Sequence, residues 1–209
     1  MHYLEKIKYI LNNPLPGEEA HEKIMSYNRA QAVDARLMDP HPKESAVMML
    51  LFPHLDELCT LFIVRPENQA VHSGQMSFPG GKKEIGETML ETALRETNEE
   101  IGIATDTIDV IGQLTEIFIP PSHFLVQPFI GFLPELPELT PNADEVSKIL
   151  IEPVSNLMNA STILKKKIFI PKFERTLEVP YFDVQGHTLW GATAMMVFEL
   201  KFALEKANI

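Results

Sequence analysis

The sequence predicts an α+β fold, a mixed β-sheet with helices on its faces and a helical appendage at the N-terminus. Three observations predict it. Segments of helical and strand periodicity alternate without the regular β-α-β rhythm of a doubly wound sheet. The chain is 45% hydrophobic and 22% charged over 209 residues, the balance of a globular chain with enough apolar side chain for one sizeable core. Apolar positions at Tyr3, Leu4, Ile7, Ile10 and Leu11 recur at helical spacing and stop at "NNPLPG". A helical appendage over residues 1–30 and one domain over 31–209 follow from this reading.

Taken in order, a second short helix is expected over 17–26. Apolar runs Ala46–Phe52 and Leu58–Val64 flank a Pro/Asp turn and predict a hairpin. "QMSFPGG" reads as a short strand entering a glycine loop, and an acidic helix follows. "IDVIGQLTEIFI" and "FLVQPFIGFLPEL" read as two strands, and a proline-rich connection leads to Pro141–Asn142. Asp144–Leu150 and Val154–Asn159 read as short helical pieces. "KKKIFIPKF" and "LEVPYFDVQGHTLWG" read as strands with a turn at Gln185–Gly186, and Thr193–Ala207 closes the chain as an apolar-faced helix.

The formal charge is −11, which argues against a general nucleic-acid binder, since these present a basic face. An anionic substrate stays possible because a bound metal inverts the local field. The single cysteine, Cys59, excludes an intrachain disulfide and a four-cysteine zinc site, and reads as a small apolar strand residue. No run reaches the roughly 20 apolar residues that span a bilayer. The charged N-terminus lacks the apolar core of a signal peptide. A cytoplasmic protein with no membrane partner is the expectation.

The most informative stretch is "GGKKEIGETMLETALRETNEEIG", Gly80 to Gly102. Thr88 and Glu91 match a capping box and Gly102 a helix stop. Leu90, Ala93, Leu94, Thr97 and Ile101 form the stripe expected to be buried. Glu96, Glu99 and Glu100 are expected on the face turned away from it. Like charges at this spacing repel, so the bare alternative is a solvated acidic face. The paired glycines Gly80 and Gly81 favour a site, because glycine lets backbone carbonyls approach a ligand. Carboxylates at this spacing share hard cations such as Mg²⁺ or Mn²⁺.

These residues resemble the Nudix hydrolase box, G-x5-E-x7-R-E-U-x-E-E-x-G-U, with U a bulky apolar residue. Gly81, Glu87, Arg95, Glu96, Glu99, Glu100, Gly102 and Ile103 fit it, and Thr97 departs at one apolar position. The resemblance implies a mixed sheet sandwiched between helices and cleavage of a nucleoside diphosphate linked to another group. It implies Mg²⁺ or Mn²⁺ as cofactor, with Glu96 and Glu100 as main ligands and Glu99 sharing that work or orienting water. A backbone carbonyl of the Gly80–Gly81 loop completes such sites. Glu87 and Arg95 resemble the pair that braces loop and helix. Many members are dimers, and the N-terminal helix is a candidate interface.

"LFIVRPENQAVHSGQMSFPGG", Leu61 to Gly81, resembles the motif of coenzyme A diphosphatases within that family. Leu61, Arg65, Gly74, Phe78, Pro79, Gly80 and Gly81 match. Phe62, Ile63 and Pro66 depart, and Ala70 stands where the motif has arginine. The loss of that arginine removes a bidentate phosphate contact and favours ADP-ribose or another nucleotide sugar as the alternative substrate. Arg65 is a candidate substrate contact. Glu145, in "NADEV", resembles a loop glutamate that serves as metal ligand or general base. A non-catalytic Nudix-fold binding module is the remaining alternative, although such modules lose box acids and none is missing here.

Overall fold

The computed structural model describes residues 2–25, 37, 41–66, 74–159, 163–170 and 174–208. Ala70, which the sequence singles out, lies outside the described residues, as does the boundary expected near residue 30. The fold is a mixed sheet with helices on both faces, plus a second, smaller sheet.

The hairpin forms as expected. Strands β1 (Lys43–His54) and β2 (Glu57–Val64) pair antiparallel in register Leu51↔Thr60 to His54↔Glu57. Leu55 and Asp56 turn the chain with φ of 47° and 66°. Two successive positive φ values suit the twist of a two-residue hairpin. Strand β3 (Met76–Ser77) pairs with Ile63 and Val64 of β2 on the same edge as β1, and β4 (Gly80–Lys82) pairs with Ser45–Val47 of β1. The first helical segments are α1 (His2–Leu11) and α2 (Glu18–Ile24), and the acidic stretch forms α3 (Met89–Ile101).

Strand β7 (Phe124–Phe132) lies parallel to β1, which makes the sheet mixed. The stretch expected as one strand before it is two, β5 (Asp109–Gln113) and β6 (Ile117–Ile119). Both pair with β7, β5 at Phe129–Phe132 and β6 at Phe124–Val126, with a register shift between Val110 and Gly112. Between them the Thr115 backbone N–H and hydroxyl turn to Glu199, which separates the two strands.

The helix expected over Asp144–Leu150 is a correction. Residues 143–145 form a turn and β8 (Lys148–Pro153) is a strand on β2, with Thr60↔Glu152 and Ile63↔Ile149 opposed. Tertiary pairing decides it: Ile149 and Ile151 face one core and Leu150 the other. Helix α4 (Val154–Met158) follows as expected. Strands β9 (Ile163–Ile170), β10 (Arg175–Val184) and β11 (His187–Leu189) form the second sheet, with Gln185 and Gly186 turning at φ 53° and 83°.

Helix α5 (Gly191–Lys206) closes the fold. It is buried on more than the one apolar face expected of it, Glu199 and Lys201 included. Thr115 and His21 satisfy the Glu199 carboxylate, His21 Nε2 lying 3.1 Å from Oε2, so α2 is tied to α5. Leu4, Ile7 and Ile10 of α1 and Ala20 and Ile24 of α2 enter the same core as α5. Alternate residues of β1 serve opposite faces. Met49 and Leu51 pack with α5, while Met48, Leu50 and Phe52 pack beneath α3 with Ala93 and Ile101. Cys59 is a buried strand residue. Among the described residues no helix is long and apolar enough to cross a membrane.

Candidate metal centre

Helix α3 begins and ends where its caps dictate. The Thr88 hydroxyl accepts the Glu91 N–H (3.2 Å), and Glu91 accepts the Thr88 N–H (2.7 Å). Gly102 adopts φ 78°, and a Cβ there would press on Thr140. That close approach carries chemistry, because the next loop is stitched to the helix end. Thr140 N–H donates to Ile101 O (3.0 Å) and Asn142 N–H to Glu100 O (2.9 Å). Asn142 then organises the turn, accepting Asp144 N–H on Oδ1 and the N–H groups of Glu145 and Val146 on its carbonyl. Val146 is buried in the α3 core, so Glu145 is held over the helix. Pro141–Asn142 marked a loop in the sequence; that it clamps helix to loop is a tertiary fact.

Glu96, Glu100 and Glu145 each offer a carboxylate oxygen within 4.8 Å of the others. Glu99 is not in this group. It is half exposed and pairs with Arg95 Nη1 at 2.7 Å. The expectation that Glu96, Glu99 and Glu100 share one solvent face needs correction, because Glu100 is fully buried. It follows Ala93 by seven residues, close to two helical turns, and so borders the buried stripe.

Gly80 and Gly81 build the other wall. Glu100 Oε2 accepts the Gly80 N–H at 2.8 Å. Gly80 has φ 153°, and a Cβ on it would run into the Ala46 carbonyl and Val47 backbone of β1. A Cβ on Gly81 would overlap the Glu96 carboxylate. Only glycine lets the loop lie against both acids. Arg65, one residue past β2, reaches the same point: its Nη2 is 3.1 Å from the Gly80 carbonyl and 3.1 Å from Glu100 Oε1.

Arg95 holds loop to helix. Its Nε and Nη2 donate to Glu87 at 2.5 and 3.2 Å, its Nη2 to Lys82 O, and its Nη1 to Glu96 (3.0 Å) and Glu99 (2.7 Å). Glu87 also accepts the Glu84 N–H and the Thr92 hydroxyl. Thr92 escaped the sequence reading, although it sits one turn after Thr88 on the side facing the loop. The Arg95 bonds, the Glu84 N–H and Thr92 pull the Glu87 pKa down to about 2 from an ordinary 4.5. The sign follows from a folded pKa below the unfolded one: the brace contributes fully above pH 4.5 and is lost as pH falls toward 2. Carboxyl resonances followed by NMR are expected to show Glu87 titrating at lower pH than Glu96 and Glu100, and Glu87→Gln to abolish this acid-limb loss in a thermal melt.

The metal group has the opposite character. Burial pushes Glu100 up to about 7, Glu96 and Glu145 push the same way, and Arg65 and the Gly80 N–H oppose them. Burial likewise raises Glu96, against Arg95. Hard oxygen donors, crowded and short of positive charge, suit Mg²⁺ or Mn²⁺. The residues fit such an ion.

Compared with known families, residues 42–173 match the NUDIX domain, more than half of the chain. The chain belongs to the Nudix family. Nudix hydrolase 3 of Caenorhabditis elegans is 30% identical over 142 residues, 61% of this chain and 59% of that protein. A peroxisomal coenzyme A diphosphatase of Mus musculus is 29% identical over 141 residues, 67% of this chain and 59% of the relative. A mitochondrial coenzyme A diphosphatase of Homo sapiens is 32% identical over 136 residues, 64% of this chain and 56% of the relative. This Nudix chain thus spans less than two thirds of the length of these relatives.

Proposed function

We propose that this Nudix chain is a divalent-metal-dependent hydrolase that cleaves the diphosphate bond of a nucleoside diphosphate joined to a further group. The observation that carries it is the convergence of Glu96, Glu100 and Glu145 beside the Gly80–Gly81 loop. In this reading Glu96 and Glu100 hold Mg²⁺ or Mn²⁺, with Glu145 completing the set. Such an ion polarises the diphosphate and lowers the pKa of bound water. Glu145 is the exposed member of the group, so its carboxylate takes the proton of the attacking water. Glu99, held by Arg95, is the alternative base. Arg95 and Glu87 keep loop and helix together, and Gly80 and Gly81 give the substrate phosphates room to approach.

Coenzyme A or its thioesters are the proposed substrate, with 4′-phosphopantetheine and 3′-phosphoadenosine 5′-phosphate as products. The partial motif from Leu61 to Gly81 and the two coenzyme A diphosphatases among its relatives support this. ADP-ribose or another nucleotide sugar is the second reading, favoured by Ala70 in place of an arginine.

A substrate panel with Mg²⁺ and with Mn²⁺ tests both. Coenzyme A is expected to give a kcat/KM at least about tenfold above ADP-ribose and the nucleoside triphosphates. The reverse order would transfer the assignment to the nucleotide sugars, and no turnover of any member would sink the hydrolase reading.

A further inference from the structure

The sequence offers Arg65 as a substrate contact, yet its described bonds point inward. Its backbone N–H donates to Gln75 O at 3.0 Å, which fixes the residue at the end of β2. Its Nη2 bridges Glu100 Oε1 and the Gly80 carbonyl, both at 3.1 Å. The Gly80 N–H donates to the other oxygen, Glu100 Oε2, at 2.8 Å. The Gly80 N–H, the Glu100 carboxylate, the Arg65 guanidinium nitrogen and the Gly80 carbonyl therefore close a ring.

Each oxygen of Glu100 is held from a different side, so its carboxylate cannot rotate. The Gly80 peptide is locked to it. The guanidinium also places a positive charge 3.1 Å from a carboxylate with no exposed surface, on a side chain that is itself 32% exposed. A buried carboxylate without such a partner is costly.

We propose that Arg65 is a positioning residue of the metal centre, fixing the Glu100 carboxylate and the Gly80 loop relative to each other. The proposal rests on the metal-dependent reading above. A substituted glutamine loses the charge and the reach. A lysine keeps the charge but lacks the planar nitrogen that spans two acceptors.

The two roles separate in the kinetics. A lost substrate contact raises KM and leaves kcat, whereas a disordered metal ligand lowers kcat and leaves KM. The experiment is Mn²⁺ titration of substrate-free Arg65→Gln and Arg65→Lys, read by electron paramagnetic resonance, alongside kinetics on the panel. Supporting partners of metal ligands are worth about 10- to 100-fold in affinity. Mn²⁺ is expected to bind Arg65→Gln at least about fivefold more weakly than the parent, with KM within about threefold. A smaller loss of Mn²⁺ affinity, or a KM increase with kcat and Mn²⁺ binding intact, overturns the proposal. Arg65→Lys carries the same criterion should the glutamine variant fail to fold. The titration needs no substrate, so it still decides Arg65 if the parent hydrolyses nothing on the panel.

Discussion

Glu100→Gln is expected to lower turnover about a thousandfold, equivalent to ~4 kcal/mol of transition-state stabilisation. The side chain keeps its shape but loses its charge. One of its two partners, the Gly80 N–H or the Arg65 guanidinium, then faces an NH₂ donor. Mn²⁺ binding is expected to weaken in parallel, since glutamine is a poorer ligand for a hard cation. A parent-like rate with parent-like Mn²⁺ affinity would remove Glu100 from the metal centre.

The same variant gives a second, independent signal in the metal-free protein. The folded pKa of Glu100, about 7, lies above its ordinary 4.5, so folding favours the protonated acid. The Glu100 contribution to stability is then fully present below pH 4.5 and is lost as pH rises through 7. The full change is of order 3 kcal/mol. Glu100→Gln has no proton to lose and is expected to show a flatter pH dependence over that interval. Adding Mn²⁺ to the parent is expected to reverse the trend, because the ion competes with the proton and binds more weakly as pH falls below 7.

Gly80→Ala is expected to be the most destabilising of the loop substitutions. Its φ of 153° is poorly tolerated by a side chain, and the added Cβ meets the backbone of Ala46 and Val47 with no flexible group to move aside. Backbone conflict of this kind costs about 3–5 kcal/mol, or roughly 8–15 °C in Tm for a chain of this size. Gly86→Ala is the matched control. It also has a positive φ, 93°, but no atom lies within 4 Å of a Cβ there, so only local strain of about 1 kcal/mol applies. Thermal melts of the two variants check this. Equal Tm values would mean that β4 moves away from β1 at little cost, and that the Gly80–Glu100 contact is not held by the sheet.

Much of the fold was legible because it is written locally. The capping box at Thr88 and Glu91 and the stop at Gly102 bound α3 within a residue or so, since the groups that satisfy a helix end lie within four residues of it. The β1–β2 hairpin was equally local. Three features failed for one reason, that distant partners decide them. Residues 148–153 are a strand because β2 offers them an edge. Leu114–Glu116 interrupt a strand because Glu199 draws Thr115 aside. Helix α5 is buried on several sides because α1, α2 and the sheet enclose it.

The site divides the same way. By itself the sequence determined the residue types and their spacing along one helix and one glycine loop, because the box lies within the 23 residues from Gly81 to Ile103. That was enough to resemble a family and to imply a hard cation. Only the tertiary structure decided which acids meet. It sorted Glu99 toward Arg95, drew Glu145 in through Asn142 and Val146, sealed Glu100 beneath the Gly80 loop and turned Arg65 onto it. Helical spacing sets an angle about one axis. The depth of a carboxylate and the charge beside it depend on what the rest of the chain packs over that angle.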